Sequence, residues 1–199
     1  MLDGIRRAAT AKIDFIQLRE RDLPARELSD LAIAAVKIIN EANSSREFKT
    51  SFLINSRVDV AVACGAAGVH LRSSDISAAD ARALMMAAGQ SRPVVAVSCH
   101  NMREVELAEG QGANFAVFGP VFEKAGADMP VLGLLELERV CGSRRAANPR
   151  MPVLALGGVD VENAAACMAA GADGIAGIRL FQREDAGEVV NRLRHSSPS

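Results

Sequence analysis

Met151-Pro-Val-Leu-Ala-Leu-Gly-Gly-Val159 is a short apolar run that stops at two glycines. A helical pattern follows from near Val161. The order is that of a buried strand, a two-glycine turn and a helix start. Glycine carries no Cβ, so its backbone can approach a ligand closely. A helix start adds unpaired N–H groups and a partial positive charge, which together suit a phosphate. A tight strand-to-helix turn without a ligand is the plain alternative, and Gly-Gly alone does not decide between them. The next apolar stretch, Gly171-Ala-Asp-Gly-Ile-Ala-Gly177, reads as another strand ending in glycine.

Outward from that stretch, one junction recurs. Cys64-Gly-Ala-Ala-Gly-Val-His70, Gln111-Gly-Ala-Asn-Phe-Ala-Val117 and Ala170-Gly-Ala-Asp-Gly-Ile-Ala176 each end a helix on glycine and open a strand. Strands are expected at Ile13–Leu18, Ser51–Ile54, Gly68–Leu71, Pro93–Ser98, Ala113–Phe118, from Met151 and at Asp173–Gly177. Between them lie helical patterns over Ala25–Ala42, Val58–Cys64, Ser77–Ala88, Met102–Gln111 and Leu134–Cys141. A first helix spans Met1–Lys12 and a last one Asp185–Arg194. Strands that alternate with helices pair in parallel. The expected class is α/β, a TIM (β/α)8-type barrel, with a doubly wound open sheet as the alternative. The loops after the last two strands of such a barrel often bind phosphate. Seven strands are one short, and the chain opens on a helix, so the first strand of the barrel is expected to be missing from this chain. A second subunit covering the open edge would answer that liability.

The 199 residues suit one domain, 1–199, with residues 195–199 a frayed tail. With seven Phe and no Trp or Tyr, the core must be filled by aliphatic residues, as in strands buried on both faces. A net charge of −1 with mixed signs gives no basic stripe for nucleic acid. No apolar run is long enough to span a bilayer, and no leader pattern is present, so the expected location is cytoplasmic. Cys64, Cys99, Cys141 and Cys167 lack Cys-x-x-Cys spacing and are read as buried thiols.

Chemistry in such a barrel sits at the C-terminal ends of the strands. Alternation puts Phe15, Gln17 and Arg19 on one face of the first strand, with Gln17 and Arg19 at the mouth. Arg19 suits a phosphate or carboxylate, or pairs with Glu20 or another carboxylate. Asn55 closes the second strand. His70 closes the third and reads as a structural residue, with Asp75 as a turn or cap residue behind it. Ser98 and His100 share a face at the fourth strand's end, without any Gly-x-Ser-x-Gly elbow. His100 is the best general acid or base, against an equal prospect of a capping role. A metal site of His70, His100 and Asp75 has no diagnostic spacing. Residues 119–132 form a long loop in which Glu123 and Lys124 could close over a ligand.

Phe15-Ile-Gln-Leu-Arg-Glu-Arg21, Ile54-Asn-Ser-Arg-Val-Asp-Val-Ala61, Gly68-Val-His-Leu71, Val97-Ser-Cys-His100, Phe118-Gly-Pro-Val-Phe122, Leu156-Gly-Gly158 and Gly171-Ala-Asp-Gly174 together resemble the thiamine phosphate synthase/TenI superfamily. The resemblance runs in order from Ile5 to Phe181. It implies a TIM barrel and one of two activities. Synthases join a pyrimidine diphosphate to a thiazole phosphate with Mg²⁺; TenI proteins tautomerise a carboxylated thiazole phosphate through a histidine. On this likeness Gly157, Gly158, Ala176, Gly177 and Ile178 would hold the thiazole phosphate, and His100 would be the TenI histidine. Gln17, Arg19, Arg21, Asn55, Ser98 and Lys124 would complete substrate binding, and Asp75 would hold Mg²⁺ only in a synthase.

Departures bear on the choice. Ser56 stands where synthases carry Asp, Glu123-Lys-Ala-Gly-Ala127 where they carry Thr-x-Thr-Lys, and Arg179 where they carry serine. The leading expectation is therefore a TenI-like tautomerase without a cofactor. A divergent Mg²⁺-dependent synthase is the first alternative, and a non-catalytic phosphate-binding relic the second. The expected partner is thiazole phosphate, with no nucleic acid or membrane.

Overall fold

The computed structural model describes residues 1–44, 48–123, 130–143, 150–183 and 185–195. The chain divides into two compact units, Met1–Val95 and Ala96–Ser199. The elements of the first unit are α1 (Leu2–Thr10), β1 (Phe15–Leu18), α2 (Ala25–Asn43), β2 (Ser51–Asn55), α3 (Val58–Cys64), β3 (Gly68–Leu71) and α4 (Ala78–Ala87). Then follow β4 (Val94–Cys99), α5 (Met102–Gly110), β5 (Phe115–Phe118), α6 (Gly133–Ser143), β6 (Val153–Ala155), α7 (Ala164–Ala169), β7 (Gly174–Ile175), α8 (Arg179–Arg183) and α9 (Ala186–His195). The fold class is α/β of the TIM-barrel type, with seven parallel strands among the described residues.

In the first unit β1 pairs with β2 and β2 with β3. Helix α2 turns Leu28, Ala32, Ala35 and Ile39 inward at helical spacing, and α1 packs on α2 through Ile5 and Ala9. Thr50 is the buried polar residue that joins α2 to β2. Its hydroxyl donates to the Ile13 carbonyl at 2.8 Å, and its amide donates to Asn43 Oδ1 at 3.0 Å.

In the second unit β5 pairs with both β4 and β6, and β6 with β7. Every residue of β5 is buried, as a parallel strand covered on both faces requires. Asp173 fastens β7 to β6: its carboxylate accepts from Arg150 at 2.8 Å and from the Val153 amide at 2.9 Å. All four cysteines are free and buried, and burial pushes the Cys167 thiol up to about 11.

The recurring junction is more general than the three sequence copies. Gly65, Gly112 and Gly171 have φ of 70°, 75° and 97°, and the next amide bonds back to Ala61, Ala108 and Cys167 respectively. Gly89 repeats it after α4, with φ of 96° and Gln90 bonding to Met85. Lys12 repeats it after α1, with φ of 62° and Ile13 bonding to Ala8. The left-handed residue turns the helix end back toward the next strand. Glycine does so without Cβ strain, whereas Lys12 bears that strain. Two elements depart from expectation: α8 is an additional short helix, and α7 starts at Ala164 rather than near Val161.

Candidate active site

The register sets the ends of β1, β2 and β3 level: Leu18 is opposite Ile54, and Asn55 is opposite His70. A directional hydrogen-bond chain crosses them. His70 Nδ1 lies 2.7 Å from Gln17 Oε1, an acceptor, so Nδ1 carries the proton. Gln17 Nε2 donates to Asn55 Oδ1 at 2.8 Å, and Asn55 Nδ2 donates to Ser56 Oγ at 3.0 Å. Ser56 also helps to hold the Asp75 carboxyl below its usual range. Ser56 reaches this position in the left-handed region, at φ 60°, a strained conformation of the kind that gathers at functional sites.

Burial holds the His70 imidazole at about 4, aided by the nearby Arg19 charge and opposed by Asp75. His70 is therefore neutral near pH 7. Arg19 and Arg21 are exposed, and neither meets a carboxylate among the described residues. The alternative, a pairing of Arg19 with Glu20, is not formed. Burial lowers the Arg19 guanidinium from its usual value, and the charges of Arg21 and Arg72 add to that.

Asp75 is more than a turn residue. Its Oδ2 accepts from the Arg72 amide at 2.8 Å, and its Oδ1 from Arg72 Nε at 3.1 Å and Nη2 at 2.8 Å. Mg²⁺ needs several oxygen ligands in near-octahedral array. Here both carboxylate oxygens accept N–H groups of Arg72, whose guanidinium charge already stands where a cation would have to approach. No group of three or more metal-ligating side chains occurs among the described residues. This donor set does not fit a magnesium ion.

In the second unit, Gly157 and Gly158 have φ of 94° and 64°. A Cβ on Gly157 would lie 2.5 Å from the Pro120 Cα, and one on Gly158 would lie 2.6 Å from the Glu123 carbonyl oxygen. The glycines thus make room for residues 120–123, whose amides at Val121 and Phe122 donate to the Leu156 and Gly157 carbonyls at 2.8 and 2.9 Å. The expected helix start is not a free anion site. Asp160 Oδ1 already accepts from the amides of Glu162 and Asn163. The Ala176 amide is likewise spent, on the Ala155 carbonyl. The amides of Gly157, Gly158, Gly177 and Ile178 meet no acceptor among the described residues. Because Ala155 is opposite Ile175, these four leave adjacent strands at one level.

Ser98 and His100 lie at the end of β4 and both are partly exposed, with Cys99 buried between them. His100 Nδ1 is 3.1 Å from Glu104 Oε2, which also accepts from the His100 amide at 2.8 Å. Asn101 caps α5, accepting from the Glu104 amide at 2.9 Å. His100 is thus a residue oriented by a capping box. Lys124 and the rest of 124–129 lie outside the described residues, as do 196–199.

Sequence reading alone missed Arg72 and Glu104 and noted Ser56 only as a departure from the synthase pattern, whereas His70, read as a structural residue, is buried and bonded to Gln17. Glu104 had a signal in the spacing Asn101-x-x-Glu104. Arg72 had none, because its role depends on where Asp75 turns back.

A family model described as thiamine monophosphate synthase matches residues 1–181. The chain belongs to the thiamine monophosphate synthase family. It is 34% identical over 197 residues to a thiamine-phosphate synthase of Moorella thermoacetica, covering 97% of this chain and 86% of the relative. A thiamine-phosphate synthase of Methanoculleus marisnigri is 34% identical over 194 residues, covering 96% and 84%. Among solved structures, thiamine phosphate pyrophosphorylase from Pyrococcus furiosus superposes with a TM-score of 0.79 at 26% identity, covering 98% of this chain and 88% of that one. These relatives carry the synthase name of the thiamine monophosphate synthase family and give no support to the TenI expectation. No helix among the described residues is long and apolar enough to cross a membrane.

Proposed function

We propose that the chain joins a pyrimidine diphosphate to thiazole phosphate, forming thiamine phosphate and releasing diphosphate. One observation favours this reading over tautomerisation: Arg19, Arg21 and Arg72 follow closely after β1 and β3, whose level ends carry a neutral wall of Gln17, Asn55 and His70. Three guanidiniums suit a polyanion better than a monophosphate. The neutral amides and imidazole suit an uncharged heteroaromatic ring. The names of the relatives agree with this assignment. In the second unit, the amides of Gly157, Gly158, Gly177 and Ile178 would hold the thiazole phosphate, with Ser98 beside them on the strand ends. Cationic stabilisation of the departing diphosphate is the main catalytic contribution expected of the protein. The test is direct: both substrates are mixed with the protein, with and without Mg²⁺, and thiamine phosphate is measured. Turnover supports the reading. Bound thiazole phosphate without product defeats it.

The second reading, a tautomerase, is favoured by the His100–Glu104 contact. A carboxylate on Nδ1 leaves Nε2 to exchange a proton. Turnover of the carboxylated thiazole phosphate, lost in His100→Ala, would support it.

A further inference from the structure

We infer that Arg72, locked by Asp75, stands in place of a metal ion, so that Arg19, Arg21 and Arg72 bind diphosphate directly and without Mg²⁺. The inference rests on the synthase reading for the ligand's place in the reaction, but its geometry stands apart from that reading. Asp75 is clamped by the backbone amide, Nε and Nη2 of Arg72. A cation at Asp75 would first have to break this fork. The side-chain relative exposures are 11% for Asp75 and 56% for Arg72, so the carboxylate is shielded and the guanidinium faces outward. The fork uses one edge of the guanidinium. The N–H groups on Nη1 meet no acceptor among the described residues and remain for a ligand. Asp75 thereby acts as a positioning residue that fixes the direction of Arg72.

The remaining charge calls for an anion. Arg19 follows directly on Leu18, level with Asn55 and His70, and Arg72 follows two residues after His70. Arg21 follows two residues after Arg19 in the same loop after β1. Three guanidiniums against one carboxylate leave two positive charges in a cluster with no carboxylate partner for Arg19 or Arg21 among the described residues. Like charges held together are costly until an anion neutralises them. Guanidiniums match phosphoryl oxygens in a planar fork. The hydrogen-bond chain runs from His70 to Ser56, and Ser56 helps to hold the Asp75 carboxyl below its usual range, so the ring-binding wall adjoins the Arg72–Asp75 clamp.

The experiment uses the full chain, inorganic diphosphate and isothermal titration calorimetry, in EDTA and in excess Mg²⁺. The expected result is binding in EDTA whose dissociation constant changes less than about threefold with Mg²⁺. Arg72→Gln should weaken diphosphate binding in EDTA by about tenfold, the size of one charge-assisted contact. It should also free Asp75, so that Mn²⁺, followed by its effect on water-proton relaxation, binds the variant more tightly than the parent. Tightening of tenfold or more by Mg²⁺ in the parent would overturn the inference, as would an unchanged EDTA affinity in Arg72→Gln. The two proposals fail separately. Diphosphate binding in EDTA without thiamine phosphate formation sinks the synthase reading alone. Product formation with diphosphate binding only in Mg²⁺ sinks the arginine inference alone.

Discussion

His70 in the first unit and His100 in the second both sit at the end of a β-strand, and their surroundings are opposite. His70 is 9% exposed, its Nδ1 donates to a neutral amide, and burial keeps it uncharged at neutral pH. His100 has a side chain 36% exposed and a carboxylate against Nδ1. The same imidazole is buried against an amide in one place and partly exposed against a carboxylate in the other. The partner on Nδ1 makes the difference: an amide fixes a tautomer, whereas a carboxylate also supports the imidazolium.

The largest effect that would sharpen this contrast is a pH dependence. The unfolded chain protonates His70 as pH falls through 6.5, while the folded chain resists until about 4. The native state therefore loses stability between those two values and is unaffected by His70 above 6.5. The loss reaches about 3 kcal/mol at most. Chemical denaturation from pH 7 to pH 4 should show a steeper loss in the parent than in His70→Gln. Parallel curves would break the contrast by removing the buried neutral histidine from it.

Next in size is Gln17→Leu, which strands the His70 proton and the Asn55 carbonyl in a part-buried setting. A stranded buried donor costs about 1–3 kcal/mol. Denaturant midpoints should fall accordingly, and thiamine phosphate formation should fall with them. By comparison, Glu104→Gln in the second unit keeps the Asn101 cap on the residue-104 amide but only one of the two side-chain acceptor contacts, and should cost about 1 kcal/mol. It should also change thiamine phosphate formation by less than about tenfold. A hundredfold loss would make His100 a participant in the transfer.

The smallest effect compares the recurring junction between units. Gly112 and Gly171 fill the left-handed position in the second, whereas Lys12 fills one in the first. Lys12→Gly should raise stability by about 1 kcal/mol, read as a rise in Tm, because it relieves the left-handed strain. No rise would mean that the looser unfolded chain offsets the relief.

Much of the fold was legible because its signals are local. The limits of α3 and β3 follow from Val58–Cys64 and Gly68–Leu71 as read, and Ser77 caps α4 by accepting from the Asp80 amide. The start of α7 was misread because Asp160 folds its own carboxylate onto the amides that a helix would have begun with. Helix α8 escaped because five residues are too few to show a period.

The sequence by itself determined the alternation of helix and strand, the glycine-marked junctions, the burial of β5 and the membership of a family. Each depends on periodicity or on residues close together in the chain. Only the tertiary structure decided which polar residues work together. Gln17, Asn55 and His70 are separated by up to 53 positions and become one chain of hydrogen bonds because parallel pairing sets three strand ends level. The clamp of Arg72 on Asp75 is local, three positions along the chain, yet it depends on the turn that brings the carboxylate back onto the Arg72 amide: hydrogen bonds act over about 3 Å, and a sequence does not show which of its residues come within that distance.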